Sequence, residues 1–366
     1  MNKNKISVDL LSNVNVLSCE KFPIILSSNN FNETKQFLDT YKYSYKPYRF
    51  THCFCLSADN DDLAILSDQT ATRFIQTNKV VSAENFEQEF INIKSLTEDK
   101  YFGQDQTICF IDTGIHPHLD FIFPYSKILK FKDFINNISV PYDDNGHGTF
   151  VAGIACGNGI FAPNNKGFAP QSNLVVLKAL DKNGSGSSNL ILDAMQWVYE
   201  NYKAYKISVV CMSFGASFSE PYDPLSIGAE ALWKCGITVV AAAGNSGPKL
   251  NTIKSPGNNP NIITVGALDV KTLSVANFSS RGPTMHGHKP DLLAPAVDIT
   301  SCNNTYLPYT KMSGTSVAAP IVASICSILK SKYPKMTNNE IKQFLLSHCT
   351  HLTGNYDEEG AGYLKF

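Results

Sequence analysis

From residue 107 onward the chain alternates short runs that are apolar on both faces with longer stretches whose apolar positions recur at helical spacing. The runs centre on Ile108, 174–177, 207–212, 237–242 and 262–265. Such runs, separated by helices, predict a mostly parallel sheet covered on both sides. Residues 189–202 place Leu190, Ile191, Ala194, Trp197 and Val198 near a 3.6 period and predict a packing helix. A second helix is predicted over 337–349, opened by Thr337 and Glu340 at capping-box spacing. The first part of the chain reads differently: strands at 22–26, 50–56 and 79–83, a short helix at 32–41 capped by Asn32, and a mostly helical stretch at 61–76. Between the two patterns, 84–103 carries Glu84, Glu87, Glu89, Glu98 and Asp99 without periodicity, as an exposed connector would. The expected division is therefore 1–90, a connector at 91–106, and 107–366.

Composition narrows the function classes. A chain of 366 residues is long enough for one large α/β domain plus a smaller one. Lys and Arg total 31 against 32 Asp and Glu, with no basic run punctuated by aromatics, so nucleic acid is not an expected partner. The ten cysteines have irregular spacing, no C-x-x-C pair and no accompanying His cluster, which argues against a zinc or redox site. Cys109, Cys211 and Cys326 sit inside apolar patterns, where a thiol packs as a small hydrophobe. The lysines of the first residues are followed by Asp9, Ser12, Asn13 and Asn15 and not by an apolar core, and no later segment predicts a membrane span. With reduced thiols, this predicts a cytoplasmic protein without a membrane partner.

Three polar stretches carry the chemistry. Residues 311–320, Lys-Met-Ser-Gly-Thr-Ser-Val-Ala-Ala-Pro, form a small-residue turn feeding an apolar helical pattern that ends near 332. Such a turn presents the Ser316 hydroxyl beside the free N–H groups of a helix start. A hydroxyl needs a base, and the base needs an orienting carboxylate. His147, in Asp-Asp-Asn-Gly-His-Gly-Thr at 143–149, leads into the helical run 150–156 and is the candidate base. Asp112, in Thr-Ile-Cys-Phe-Ile-Asp-Thr-Gly at 107–114, ends an apolar strand on the edge where α/β sheets bind ligands. Further blocks follow: Val-Val-Ala-Ala-Ala-Gly-Asn at 239–245, Phe-Ser-Ser-Arg-Gly-Pro at 278–283, and Lys-Pro-Asp-Leu-Leu-Ala-Pro at 289–295. In this order and spacing the chain resembles the subtilisin-like serine proteases, the subtilases of peptidase family S8, from about residue 107 to its end.

The resemblance implies a three-layer α/β/α domain, preceded by a small ferredoxin-like α+β domain of the propeptide type. It implies an endopeptidase using Asp112, His147 and Ser316, with Asn245 and the Ser316 N–H as oxyanion donors. Substrate is then expected as an added strand along Ser213, Phe214 and Gly215. Ala242 and Gly244 would line the pocket for the residue before the cut. Lys254 falls at the base of its far wall, 252–257, where family members often have a small residue. There it could pair with an acidic side chain or snorkel to solvent. The family's calcium-binding His-Pro-Asp-Leu is matched by His116-Pro117-His118-Leu119, and His118 is a poor ligand for a hard cation, so neither calcium nor another cofactor is expected. Val317, Ile321 and Ser324 depart from the usual residues after the nucleophile but remove no catalytic group. The expectation is a zymogen whose N-terminal domain acts as an intramolecular inhibitor and is released by self-cleavage in the connector. It would serve as an intracellular degrader or as a dedicated precursor-processing protease. The alternative is a silent peptide-binding protein that retains its N-terminal domain.

Overall fold

The computed structural model describes residues 1–6, 10–11, 21–49, 52–77, 97–216 and 223–366. It divides into two compact units, Met1–Ala83 and Glu84–Phe366.

The first unit runs β1 (Phe22–Ser28), α1 (Phe31–Thr40), β2 (Tyr45–Tyr48), β3 (Cys53–Ala58), α2 (Asn60–Asp68) and β4 (Thr72–Thr77). Its antiparallel sheet has the order β2-β3-β1-β4, the connectivity of a split βαβ unit. Ile24, Leu26, Phe54, Leu56 and Ile75 are buried from the strands, with Leu38, Leu63 and Leu66 from the helices. Three readings of this part change. The first helix is capped by Asn30, whose side chain accepts from the Glu33 N–H, and not by Asn32. The helix expected to reach 76 stops at Asp68, because Thr72–Thr77 pairs with β1, setting Ile75 opposite Leu26. An extra strand forms at Tyr45–Tyr48, where Pro47 is tolerated because β2 is an edge. The strand expected at 79–83 and the connector residues 84–96 lie outside the described residues.

The second unit continues with β5 (Thr107–Asp112), α3 (Leu119–Ile122), β6 (Ile128–Asp133), α4 (His147–Cys156), β7 (Asn173–Lys178), α5 (Ser188–Asn201), β8 (Ile207–Met212), α6 (Pro224–Lys234), β9 (Thr238–Ala242) and β10 (Ile263–Asp269). Next come β11 (Ser274–Val275), β12 (Leu292–Pro295), the hairpin β13 (Ile299–Cys302) and β14 (Tyr309–Met312), and α7 (Thr315–Lys332). The chain ends with α8 (Asn338–Ser347), β15 (Cys349–Thr350), α9 (Tyr356–Glu359) and β16 (Tyr363–Leu364). The central sheet has the order β15-β16-β12-β10-β9-β8-β5-β7-β6 with β11 paired to β10, and only β11 and β15 run antiparallel. Strands β5, β9 and β12 are buried at every position, as strands covered on both faces must be. Helices α7 and α4 pack together, α7 lying along β8, β9 and β10, while α5 and α6 form a second packed pair. The result is the expected three-layer α/β/α arrangement. Parallel register sets Asp112 beside Lys178 and Met212 beside Ala241, so the carboxyl ends of these strands share one edge.

Candidate active site

Asp112 is the last residue of β5 and is 1% exposed. Its Oδ1 accepts hydrogen bonds from the Thr113 N–H and from His147 Nδ1, each at 2.7 Å. Because the carboxylate accepts at Nδ1, that nitrogen carries the proton and Nε2 is left as the basic atom. Burial opposes the charged ring, but the Asp112 carboxylate outweighs it and raises the His147 pKa above its ordinary value. His147 opens α4, and the next residue explains the Gly in the motif: a Cβ on Gly148 would lie 2.2 Å from the Gly114 carbonyl oxygen. Only glycine lets the helix opened by His147 sit directly on the turn that follows Asp112.

A buried network fixes that junction. Thr113 Oγ1 accepts from the Gly148 N–H and donates to Asp143, whose carboxylate also takes the N–H groups of Asn145, Gly146 and Thr149 and the Thr149 hydroxyl. Burial works against the Asp143 charge, but these donors more than offset it and hold its pKa below the usual carboxylate range. Beneath the turn, the fully buried Lys178 ammonium binds the Thr113 and Leu180 carbonyls and Asp144 Oδ1.

Ser316 is the second residue of α7, where backbone N–H groups have no intrahelical partner. Asn245 Oδ1 accepts from both the N–H and the hydroxyl of Thr315, at 2.9 and 3.1 Å. That orientation leaves Asn245 Nδ2 as a donor toward the serine. Thr315 Oγ1 in turn accepts from the Gly244 N–H at 3.0 Å, so one buried hydroxyl ties the amide to the end of β9. A Cβ built on Gly314 would stand 3.0 Å from Ser316 Oγ and 3.3 Å from Asn245 Nδ2. This bare space is therefore within reach of both a nucleophilic oxygen and an amide donor, as oxyanion stabilisation requires.

His147, Ser316 and Asn245 line one cleft of about 560 Å³, together with all six residues expected to contact substrate: Ser213, Phe214, Gly215, Ala242, Gly244 and Lys254. Asp112 lies behind His147 and does not line it. No hydrogen bond joins Ser316 Oγ to the His147 ring. Residues 213–215 continue past the end of β8 outside any strand pairing.

A sequence model of the subtilase family (Peptidase S8) matches residues 103–363. The chain belongs to the subtilase family. The serine protease AprX of Bacillus subtilis is 36% identical over 354 residues, covering 86% of this chain and 78% of AprX. Subtilisin E of the same organism is 29% identical over 333 residues, covering 87% of this chain and 81% of its own length. Among solved structures, a cold-adapted subtilisin-like serine proteinase superposes with a TM-score of 0.60 at 28% identity, over 73% of this chain and 89% of its own. Sphericase gives 0.63 at 28%, over 75% and 96%. The fold is subtilisin-like, and the protein is a subtilisin-like serine protease.

Calcium sites are common in subtilases, and the residues near His118 do not fit one here. His118 is buried, with Nδ1 accepting from the Asp120 N–H, and the carboxylate that enters the region is Asp120. Asp120 is fully buried and committed to the N–H groups of Gly159 and Ile160 and to the hydroxyl of Tyr309. The other oxygens of this region, Cys156 O, Asn158 Oδ1 and Pro170 O, converge on the Lys127 ammonium. Calcium needs six to eight oxygens, and these already face a resident cation. His118, Asp120 and Cys302 bring N, O and S atoms within 4.8 Å of one another, but a metal there would have to displace the donors Asp120 already holds.

The sequence reading missed Thr113, Asp143, Lys178, Gly314 and Thr315. Four of them stand inside the quoted motifs, so the signal was adjacency to the reactive residues. Lys178 ends an apolar strand with a cation, an anomaly visible in the sequence.

Proposed function

We propose that this subtilase hydrolyses peptide bonds through Asp112, His147 and Ser316, with Asn245 Nδ2 and the Ser316 N–H holding the oxyanion. Ser316 Oγ bonds to the scissile carbonyl carbon while His147 Nε2 takes its proton, and Asp112 stabilises the imidazolium so formed. Collapse of the tetrahedral intermediate breaks the C–N bond, and the amine leaves with the proton from Nε2. A water deprotonated by the same nitrogen then releases the acyl group. No step calls for a cofactor. The observation that carries this reading is the space at Gly314, within 3.0 Å of Ser316 Oγ and 3.3 Å of Asn245 Nδ2.

Peptide binds as an added strand along 213–215, whose backbone is outside the sheet pairing. The N-terminal domain, 1–90, acts as an intramolecular inhibitor and folding aid, and the subtilase frees itself by cutting in the connector at 91–106. Its site of action is the cytoplasm: all nine cysteines among the described residues are free thiols. No helix among the described residues is long and apolar enough to cross a membrane. Peptide or protein is its substrate, with no role for nucleic acid.

Intact mass and N-terminal sequencing of wild type beside Ser316→Ala test the scheme. Wild type should split between the two units while the variant stays whole, and a fluorophosphonate should label wild type only. A folded wild type that neither splits, labels nor cuts an added peptide would leave the silent peptide-binding protein as the better account.

A further inference from the structure

We infer that Lys254 makes this subtilase selective for an acidic side chain at the residue preceding the cut. The inference rests on the proposed placement of substrate. With the scissile carbonyl oxygen at the space beside Gly314, the side chain on the acyl side enters the part of the cleft bounded by 213–215, 242–244 and Lys254.

The position of Lys254 is fixed from both walls. Its N–H donates to the Ala243 carbonyl, and the next residue, Ser255, exchanges backbone hydrogen bonds with Ala216. A Cβ on Gly215 would lie 2.5 Å from Lys254 Cβ, and one on Gly244 would lie 2.5 Å from Lys254 Cγ. The stem is thus clasped between the two edges of the slot, and the two glycines are what make room for it. A lysine whose stem is packed in this way belongs to the pocket wall and not to a loose surface loop.

The charge is as specific as the position. Among the described residues that line the cleft, His147 and Lys254 are the ionisable ones and no carboxylate is present. The ammonium offers three donors, so a contact it makes within the protein leaves others for a substrate carboxylate. A charge-assisted bond of this kind favours glutamate over its neutral isostere glutamine by about 10- to 100-fold. The same charge repels lysine and arginine. The connector at 91–106 supplies a matching site for self-processing in Glu98.

The test compares kcat/KM for fluorogenic peptides differing only at that residue, Glu, Gln, Leu or Lys, with wild type, Lys254→Ala and the stem-preserving Lys254→Met. Wild type should prefer Glu to Gln by 10-fold or more, both variants should bring the ratio close to one, and added salt should shrink the wild-type ratio. A wild-type ratio near one, or a preference that survives both substitutions, overturns the inference while leaving the protease intact, since the Gln and Leu peptides would still be cut. If no peptide is cut and Ser316 does not label, the proposed chemistry fails and this inference fails with it.

Discussion

Adding one methyl group at Gly314 should abolish most of the activity while leaving the fold in place. The Cβ of Gly314→Ala would sit 3.0 Å from Ser316 Oγ and 3.3 Å from Asn245 Nδ2. An oxyanion must lie about 2.7–3.1 Å from that same nitrogen, so methyl and oxyanion compete for one space. If the oxygen is pushed away by about 1 Å, the Asn245 donor is lost at the moment it matters. Removing one such donor from subtilisin reduces turnover by about 10²–10³-fold, or about 3–4 kcal/mol. Crowding of the attacking Oγ adds to this, so a fall in kcat of about 10³-fold is expected, with KM changed only a few-fold because Ser213, Phe214 and Lys254 are untouched. Both close contacts of the new methyl are to side chains and not to backbone. Gly314 sits at φ 156° and ψ 158°, a region essentially reserved for glycine, so the alanine also brings about 1–3 kcal/mol of backbone strain, a few degrees in Tm. Steady-state hydrolysis of a fluorogenic peptide by wild type, Gly314→Ala and Ser316→Ala decides the matter. A Gly314→Ala protein that keeps kcat/KM within 10-fold of wild type would show that the reacting carbonyl is not placed there.

With His147 as the proposed base, its raised pKa should set the acid limb of activity: the base works only when neutral, so kcat/KM should fall as pH drops through a value above the free histidine's 6.5, and a limb at or below 6.5 would contradict the Asp112 contact. Thr315→Val strands the buried Gly244 N–H and removes one of two bonds holding Asn245, so kcat should fall about 10-fold and stability by about 1–3 kcal/mol, with KM unchanged and both restored by Thr315→Ser. Lys127→Met leaves three converging oxygens without their donor and should lower stability by about 3–5 kcal/mol, on the order of 10 °C in Tm. In the same thermal scan, a chelator should leave the wild-type Tm unmoved, and a drop of several degrees would mean that a metal is bound after all.

What could be read from the sequence follows from the range of the interactions involved. Asp112, His147 and Ser316 each sit in a glycine-flanked turn at the end of a strand or the start of a helix, a local pattern that survives without knowledge of the fold. The groups that hold them are set by tertiary geometry. Lys127 reads as an ordinary loop lysine until the chain brings Cys156, Asn158 and Pro170 around it. The strand at Ile128–Asp133 was not anticipated because its Lys130 and Lys132 mask a partly buried edge in which Phe131 and Asp133 point inward. The over-long helix drawn through 61–76 has the opposite cause: its beginning is helical, with Leu63 and Leu66 buried three apart, and nothing local announces that Thr72–Thr77 will be recruited by the edge of β1.

The three buried lysines among the described residues of the second unit share a design that explains how the cleft is held rigid. Lys178 binds Thr113 O, Leu180 O and Asp144 Oδ1. Lys127 binds Cys156 O, Asn158 Oδ1 and Pro170 O. Lys289 binds Ile262 O, Thr264 Oγ1 and Asp291 Oδ2. Three acceptors satisfy the three donors of an ammonium, which is the condition for burying that charge without prohibitive loss. Chain segments entering and leaving a parallel sheet carry carbonyls with no partner strand, and a lysine stem reaching in from a neighbouring segment collects them at one point. Each ammonium therefore crosslinks stretches far apart in sequence: in the case of Lys178, the turn after Asp112 and the segment that delivers His147. Burial draws down the pKa of Lys127 and of Lys289, the latter to about 8, so the charge in these clamps is under strain even when fully bonded. Such a group weakens the fold sharply if its acceptors are left bare, yet gives a fixed geometry while they are paired. For a hydrolase whose proposed acid, base and nucleophile come from three separate segments of the chain, that fixed geometry is worth more than the stability an apolar residue would add.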